Sequence, residues 1–155
     1  MIVRRFCEED AKELSGMIHE TLRLINSKDY SEEYINQTIE QLSPEEMINR
    51  SKWMNLYVVE LNHQIVGCGG IGSYWGSETE SSLFNIFVSA HHQGQGIGRK
   101  IIETLEEDEY FLRAKRVEIP ASISALPFYQ KMGYTFKNGV DQVDEEQLYR
   151  LEKFR

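Results

Sequence analysis

An apolar run, Leu83-Phe84-Asn85-Ile86-Phe87-Val88, leads into Gln93-Gly94-Gln95-Gly96-Ile97-Gly98-Arg99-Lys100 and then Ile101-Ile102-Glu103-Thr104-Leu105. That order reads as strand, glycine-rich turn and helix, and it constrains the chain more than any other stretch. Glycines at 94, 96 and 98 remove side chains from alternate residues, so backbone N–H groups can approach an anion closely. The helix beginning there adds unpaired N–H donors and a partial positive charge of roughly half an electron. A phosphate or pyrophosphate is the ligand expected at such a turn, with Arg99 and Lys100 beside it.

The rest of the sequence is that of one globular domain spanning residues 1–155. Its length suits a single core, and the composition, 41% apolar and 27% charged, is ordinary. No stretch of about 18 apolar residues is present, so no membrane span is expected. The N-terminal Met1-Ile2-Val3-Arg4-Arg5-Phe6 lacks the apolar core of a signal peptide. Cys7 and Cys68 stand isolated and read as free thiols in a reducing cytosol, which places the protein in the cytoplasm. A net charge of −8 argues against nucleic acid, which needs a concentrated basic face, and weakly favours cationic or amine partners.

Hydrophobic spacing supplies the remaining elements. Residues 2–6 read as a strand. Ala11, Leu14, Ile18, Thr21/Leu22 and Ile25 recur as on an amphipathic helix from Glu8 to about Ser27. Ser31 caps a second helix that turns Tyr34, Ile35, Ile39 and Leu42 inward. Ser43-Pro44-Glu45-Glu46 opens a third, with Ser43 and Glu46 as a capping box. Strands 56–61 and 64–71 flank an Asn62-His63 hairpin turn. The strand at 82–89 precedes a helix from about 96 to 109, whose Glu103, Glu106, Glu107 and Asp108 form a solvated outer face. A strand at 115–119, a helix at 124–132 stopped by Gly133, and strands at 134–136 and 147–151 complete the chain. The expected fold is α/β (α+β): a mixed, mostly antiparallel sheet of about six to seven strands with helices on both faces.

Spacing separates the phosphate ligands. A P-loop requires Lys-Ser/Thr after the last glycine, where this chain has Arg99-Lys100-Ile101. A Rossmann fingerprint requires G-x-G-x-x-G at the start of a parallel βαβ unit, and neither condition is met. Gln93-x-x-Gly96-x-Gly98 after a strand instead resembles the acyl-CoA signature of the GNAT N-acetyltransferase superfamily. Ala125-Leu126-Pro127-Phe128-Tyr129-Gln130-Lys131-Met132-Gly133-Tyr134 is similar to the second motif of that family, in the right order and spacing.

The resemblance implies an enzyme that moves an acetyl group from acetyl-CoA to a primary amine by direct attack. Its alternative is a non-catalytic acyl-CoA-binding module of the same fold. By resemblance, Gln93, Gly94, Gln95, Gly96, Ile97, Gly98 and Arg99 hold the pyrophosphate. Backbone of Ile86, Phe87 and Val88 pairs with pantetheine and offers an N–H to the acetyl oxygen. Tyr129 matches the general acid that protonates the departing thiolate, a phenol of pKa about 10 serving a thiol of about 8.5; the bland reading is a core aromatic beside Phe128. Ser122 stands where relatives carry an Asn on the cofactor, and Ser124 reads as a helix N-cap or a cofactor contact. The family's strand Glu is replaced by Ser82 or Leu83, so the general base is unassigned, with Glu80 as the one candidate. Trp75 and Tyr34 are candidates for the amine pocket. The acceptor is a small-molecule or peptide amine, and an exposed sheet edge would allow a homodimer.

Overall fold

The structure is a computed structural model that describes residues 1–155. Its strands are β1 (Ile2–Arg5), β2 (Asn55–Leu61), β3 (Gln64–Ser73), β4 (Glu80–Val88), β5 (Arg116–Ala121), β6 (Thr135–Phe136) and β7 (Tyr149–Phe154). They form one seven-stranded sheet in the order β1-β2-β3-β4-β5-β7-β6. Every pair is antiparallel except β4 with β5, so the sheet is mixed and mostly antiparallel. The helices are α1 (Ala11–Leu24), α2 (Glu32–Gln41), α3 (Pro44–Ser51), α4 (Ile97–Leu105), α5 (Glu109–Arg113) and α6 (Leu126–Lys131).

The period-2 alternation of the strands sorts the apolar residues onto two faces. Leu56, Val58, Ile65 and Cys68 pack with Leu14, Ile18, Ile35 and Met47 of α1, α2 and α3. Val59, Val66, Ile71 and Leu83 pack with Ile97, Ile101, Ile102 and Leu105 of α4 and with Val117, Ile119 and Leu151. No helix is long and apolar enough to cross a membrane.

Local chemistry explains most boundaries. Asn62 and His63 both take left-handed φ (52° and 63°), the two-residue hairpin geometry whose twist matches the flanking strands. Ser31 and Ser43 cap α2 and α3 by accepting from the N–H groups of Tyr34 and Glu46. Of the expected capping box only this half forms.

Three expected helices are interrupted, the one over 124–132 being a 3-10 turn at Ile123–Ala125 followed by α6. The stretch from Glu8 to Ser27 is α1 flanked by 3-10 turns at Glu8–Asp10 and Asn26–Lys28. The helix expected over 96–109 ends at Leu105, and a separate α5 follows. Asp108 is the cause: it is buried, and its carboxylate accepts from the Tyr57 hydroxyl (2.7 Å), Asn55 Nδ2 (3.0 Å) and the Tyr110 N–H (2.8 Å). The expected solvated face is therefore wrong for Asp108. It is wrong for Glu106 too, which accepts from the Tyr134 hydroxyl (3.0 Å) and Lys153 Nζ (2.7 Å).

Candidate functional site

β4 and β5 pair only over Glu80–Ser82 and Arg116–Glu118. Beyond that point they diverge. A cleft of about 670 Å³ opens with Leu83–Val88 on one wall and Ile119, Pro120, Ser122 and Ser124 on the other. The closed end is fastened by Arg116, which reaches Glu80 (3.3 Å), Glu118 (3.0 Å) and Glu152 (3.0 Å), while Lys137 reaches Glu118 (2.8 Å).

β4 carries a bulge. Cys68 faces Phe87 and Gly70 faces Phe84, so two residues of β4 oppose the single Gly69 of β3. Asn85 takes the left-handed conformation there, φ 52°, which Asn tolerates better than most residues. The Cys68 thiol donates to Asn85 O (3.1 Å), and Arg50 Nη1 donates to Asn85 Oδ1 (3.2 Å). Burial pushes the Cys68 thiol up to about 12, so it stays protonated and is no nucleophile at neutral pH.

At the end of β4, Gln93 Nε2 donates to Val88 O (2.7 Å) and Ser89 O (3.2 Å), which closes the chain reversal. Gly94 and Gly96 have φ of 73° and 82°, and a Cβ at either would meet nothing within 4 Å. The left-handed backbone therefore requires glycine there, and the space above the turn is open. Gly96 is the N-cap of α4, with no side-chain cap bond and no acidic residue in the first turn, so no side chain claims the first N–H groups, and Gly96, Ile97, Gly98 and Arg99 line the cleft. Gly98 serves differently: a Cβ there would lie 3.2 Å from Phe128 Cζ, so this glycine lets α4 approach α6.

Tyr129 sits on α6, which ends in a Schellman motif: Tyr134 N–H donates to Tyr129 O, Gly133 N–H donates to Gln130 O, and Gly133 has φ 98°. The Tyr129 ring is buried edge-on to Phe128, at 5.3 Å between centroids. Its hydroxyl makes no hydrogen bond within the protein, and the residue lines the cleft. Burial, with a smaller contribution from Cys68, raises its pKa well above the usual phenol range, so it stays protonated.

The other end lies between α1, α2 and α3. Tyr30 and Tyr34 stack with centroids 4.4 Å apart. Their hydroxyls donate to Gln147 O and Glu146 O, both at 2.9 Å, and Ile123 N–H donates to the Tyr30 hydroxyl (3.1 Å). These bonds strap residues 144–148 across the cleft mouth. Asp144 organises the strap by accepting from the N–H groups of Glu146 and Leu148 and from Arg150 Nε. Burial works against its charged form, but those donors outweigh it and hold the carboxyl below its usual range. A carboxylate so depressed stabilises the fold above its unfolded pKa of about 3.9 and ceases to do so as pH falls through the folded value. The strap is therefore expected to loosen below about pH 4. An NMR titration of the Leu148 amide checks it, and Asp144→Asn should show the loosened signal already at neutral pH.

Of the residues expected at the cofactor, all but Gln95 line this one cleft: Ile86, Phe87, Val88, Gln93, Gly94, Gly96, Ile97, Gly98, Arg99, Ser122, Ser124 and Tyr129. Gln95 points to solvent from the crest of the turn. Ser124 is not the N-cap expected: Ser122 (φ −65°, ψ 159°) opens a 3-10 turn at Ile123–Ala125, Ala125 stands at the N-cap of α6, and neither serine forms a cap bond. Tyr34 lines the cleft; Trp75 does not, being 90% exposed in the loop after β3. Glu80 is also outside, held by Arg116 at the closed end, because β4 enters the sheet there before diverging.

Sequence reasoning missed Arg50 and Asn85. Asn85 had a signal: one amide side chain inside an otherwise apolar strand suits a left-handed bulge. Arg50 had none, because its place depends on how α3 docks against β4.

A family model for the acetyltransferase (GNAT) domain matches residues 26–148, and the chain belongs to that family, an acyltransferase by class. No curated protein matches it by sequence. The fold is similar to that of the PaiA N-acetyltransferase of Thermoplasma acidophilum, solved in complex with coenzyme A. The TM-score is 0.84 at 18% identity, over 99% of this chain and 98% of that one. A GCN5-related N-acetyltransferase from Rhodopseudomonas palustris gives 0.80 at 18% identity, covering 99% and 95%. A ribosomal-protein-alanine N-acetyltransferase from Brucella melitensis gives 0.66 at 19% identity, covering the whole of both chains (100% each).

Proposed function

We propose that residues 1–155 act as one domain that binds acetyl-CoA in the cleft and transfers its acetyl group to a primary amine by direct attack. The observation that carries this reading is Tyr129. Its hydroxyl has no partner in the protein, and it shares a cleft with the open glycine turn and the uncapped N-terminus of α4. The residues fit the donor. Gly94 and Gly96 leave space for a pyrophosphate, the α4 N–H groups supply donors, and Arg99 adds charge at the rim. The diverged edge of β4 at Ile86–Val88 suits an extended pantetheine chain.

Acetyl-CoA supplies the activated acetyl group as a thioester. The chain binds it, turns its carbonyl toward backbone N–H groups of β4, and excludes water with the strap and the Tyr30–Tyr34 stack. As the amine nitrogen bonds to the acetyl carbon and the C–S bond breaks, Tyr129 gives its proton to sulfur and recovers one from solvent. The amine's own proton leaves to water, since no carboxylate in the cleft is free to take it: Glu146 is ion-paired to Arg150 at 2.7 Å.

Calorimetric titration with CoA, joined to thiol-release assays on a panel of amines, tests the reading. One-to-one binding is expected, weakened about tenfold or more by Arg99→Glu, which reverses a charge beside a helix N-terminus. Absence of CoA binding, or of amine-dependent thiol release, would falsify it.

A further inference from the structure

Arg50 is the half-buried arginine that no carboxylate meets. Arg4, Arg116 and Arg150 each contact at least two acidic side chains. Arg50 contacts none within 4.0 Å; its one protein partner is Asn85 Oδ1, and its Nε is sealed from solvent without an acceptor. Glu46, one turn back on α3, influences it only at longer range, and burial weighs against its charge. The sealed Nε is out of a ligand's reach, but Nη2 has no protein partner and is not sealed, so it is the nitrogen a bound group can meet.

The place is specific. Arg50 lines the cleft from α3 and holds the side chain of the β4 bulge residue, which directly precedes Ile86–Val88. The other charged groups on the cleft wall are Arg99, Lys131 and Glu146, the last an exposed carboxylate that shares Arg150 with Asp144. The wall is thus net positive despite the chain's net charge of −8. A polyamine would bring a second cation toward Arg50, which has no acidic side chain within 4.0 Å.

We propose that Arg50 receives the carboxylate of the acceptor, so that the substrate is a free amino acid acetylated on its amine. This rests on the acetyl-transfer reading above and names its acceptor class. A planar guanidinium with an open Nη2 suits a carboxylate better than any neutral group, and holding that carboxylate beside the bulge fixes the amine near the thioester. The strap over Tyr30 and Tyr34 narrows this end, which favours a small acceptor over a side chain on a folded protein.

The test compares kcat/KM for the twenty L-amino acids with their L-amino acid amides, which keep shape and lose the negative charge. A preference of about 10- to 100-fold for the best-used acid over its amide is expected, the scale of a charge-assisted bond. In Arg50→Gln that ratio should fall to within about threefold of one, and Arg50→Lys should restore part of it. A purely structural Arg50 would lower both substrates equally and leave the ratio standing, which overturns the assignment. Amides, diamines or peptides used as well as the acids overturn it too, while leaving acetyl transfer intact. Failure to bind CoA overturns both readings together.

Discussion

Replacing Tyr129 with phenylalanine is expected to slow acetyl transfer about 100- to 1,000-fold in kcat, the range of a positioned general acid. CoA affinity and stability should stay close to wild type. The hydroxyl has no partner in the protein, so its removal strands no buried donor or acceptor, and the ring keeps its contact with Phe128. The loss should fall in kcat rather than KM, because protonating sulfur matters in the transition state and not in substrate binding. Because burial lifts the Tyr129 pKa above the usual value of about 10, the wild-type rate should show no alkaline loss from this group below about pH 10. Single-turnover thiol release at saturating donor reads both effects. A variant within threefold of wild type would return Tyr129 to the status of a packing residue.

Arg116→Met is expected to destabilise the protein by about 3 kcal/mol, within the range seen when one partner of a buried ion pair is removed. Arg116, Glu118 and Glu152 are all buried, and the methionine would leave both glutamates without this counter-ion. Glu118 keeps Lys137 at 2.8 Å, whereas Glu152 keeps only the Asn138 N–H at 3.3 Å. The loss should therefore come mainly from Glu152, and adding Glu152→Gln should recover part of it. For a chain of this size 3 kcal/mol corresponds to a Tm lower by roughly 10 °C. Urea melts of the single and double variants measure it; an Arg116→Met variant as stable as wild type would show that the network contributes nothing net.

What could be read from residues alone was the local backbone. Gly94, Gly96 and Gly133 sit where positive φ is needed, Asn62-His63 makes the tight turn, and Ser31 and Ser43 cap their helices. Each of these depends on a few neighbouring residues. The misread positions depend on partners far along the chain. Asp108 turns inward because Asn55 and Tyr57 of β2 wait for it, and Glu80 is drawn from the cleft by Arg116 of β5. Gly98 reads like its neighbouring glycines but answers to Phe128, thirty residues on. Trp75, an aromatic near a functional strand, had no such partner and points to solvent. Arg50 combines both problems: an ordinary helix residue by sequence, it gains its meaning only once α3 has docked against the bulge.

The brevity of the β4–β5 ladder has a mechanical meaning. Only Glu80–Arg116, Ser81–Val117 and Ser82–Glu118 are paired across it, so the sheet is two half-sheets stitched at one end. A ligand lying along both walls would replace the missing rungs and act as a strut between the halves. Resistance to shear and affinity for the donor then become one linked quantity. Donor at a hundred times its Kd would add about 2.7 kcal/mol to stability. By the same linkage, a substitution that loosens the stitched end would weaken donor binding from a distance, without touching the donor.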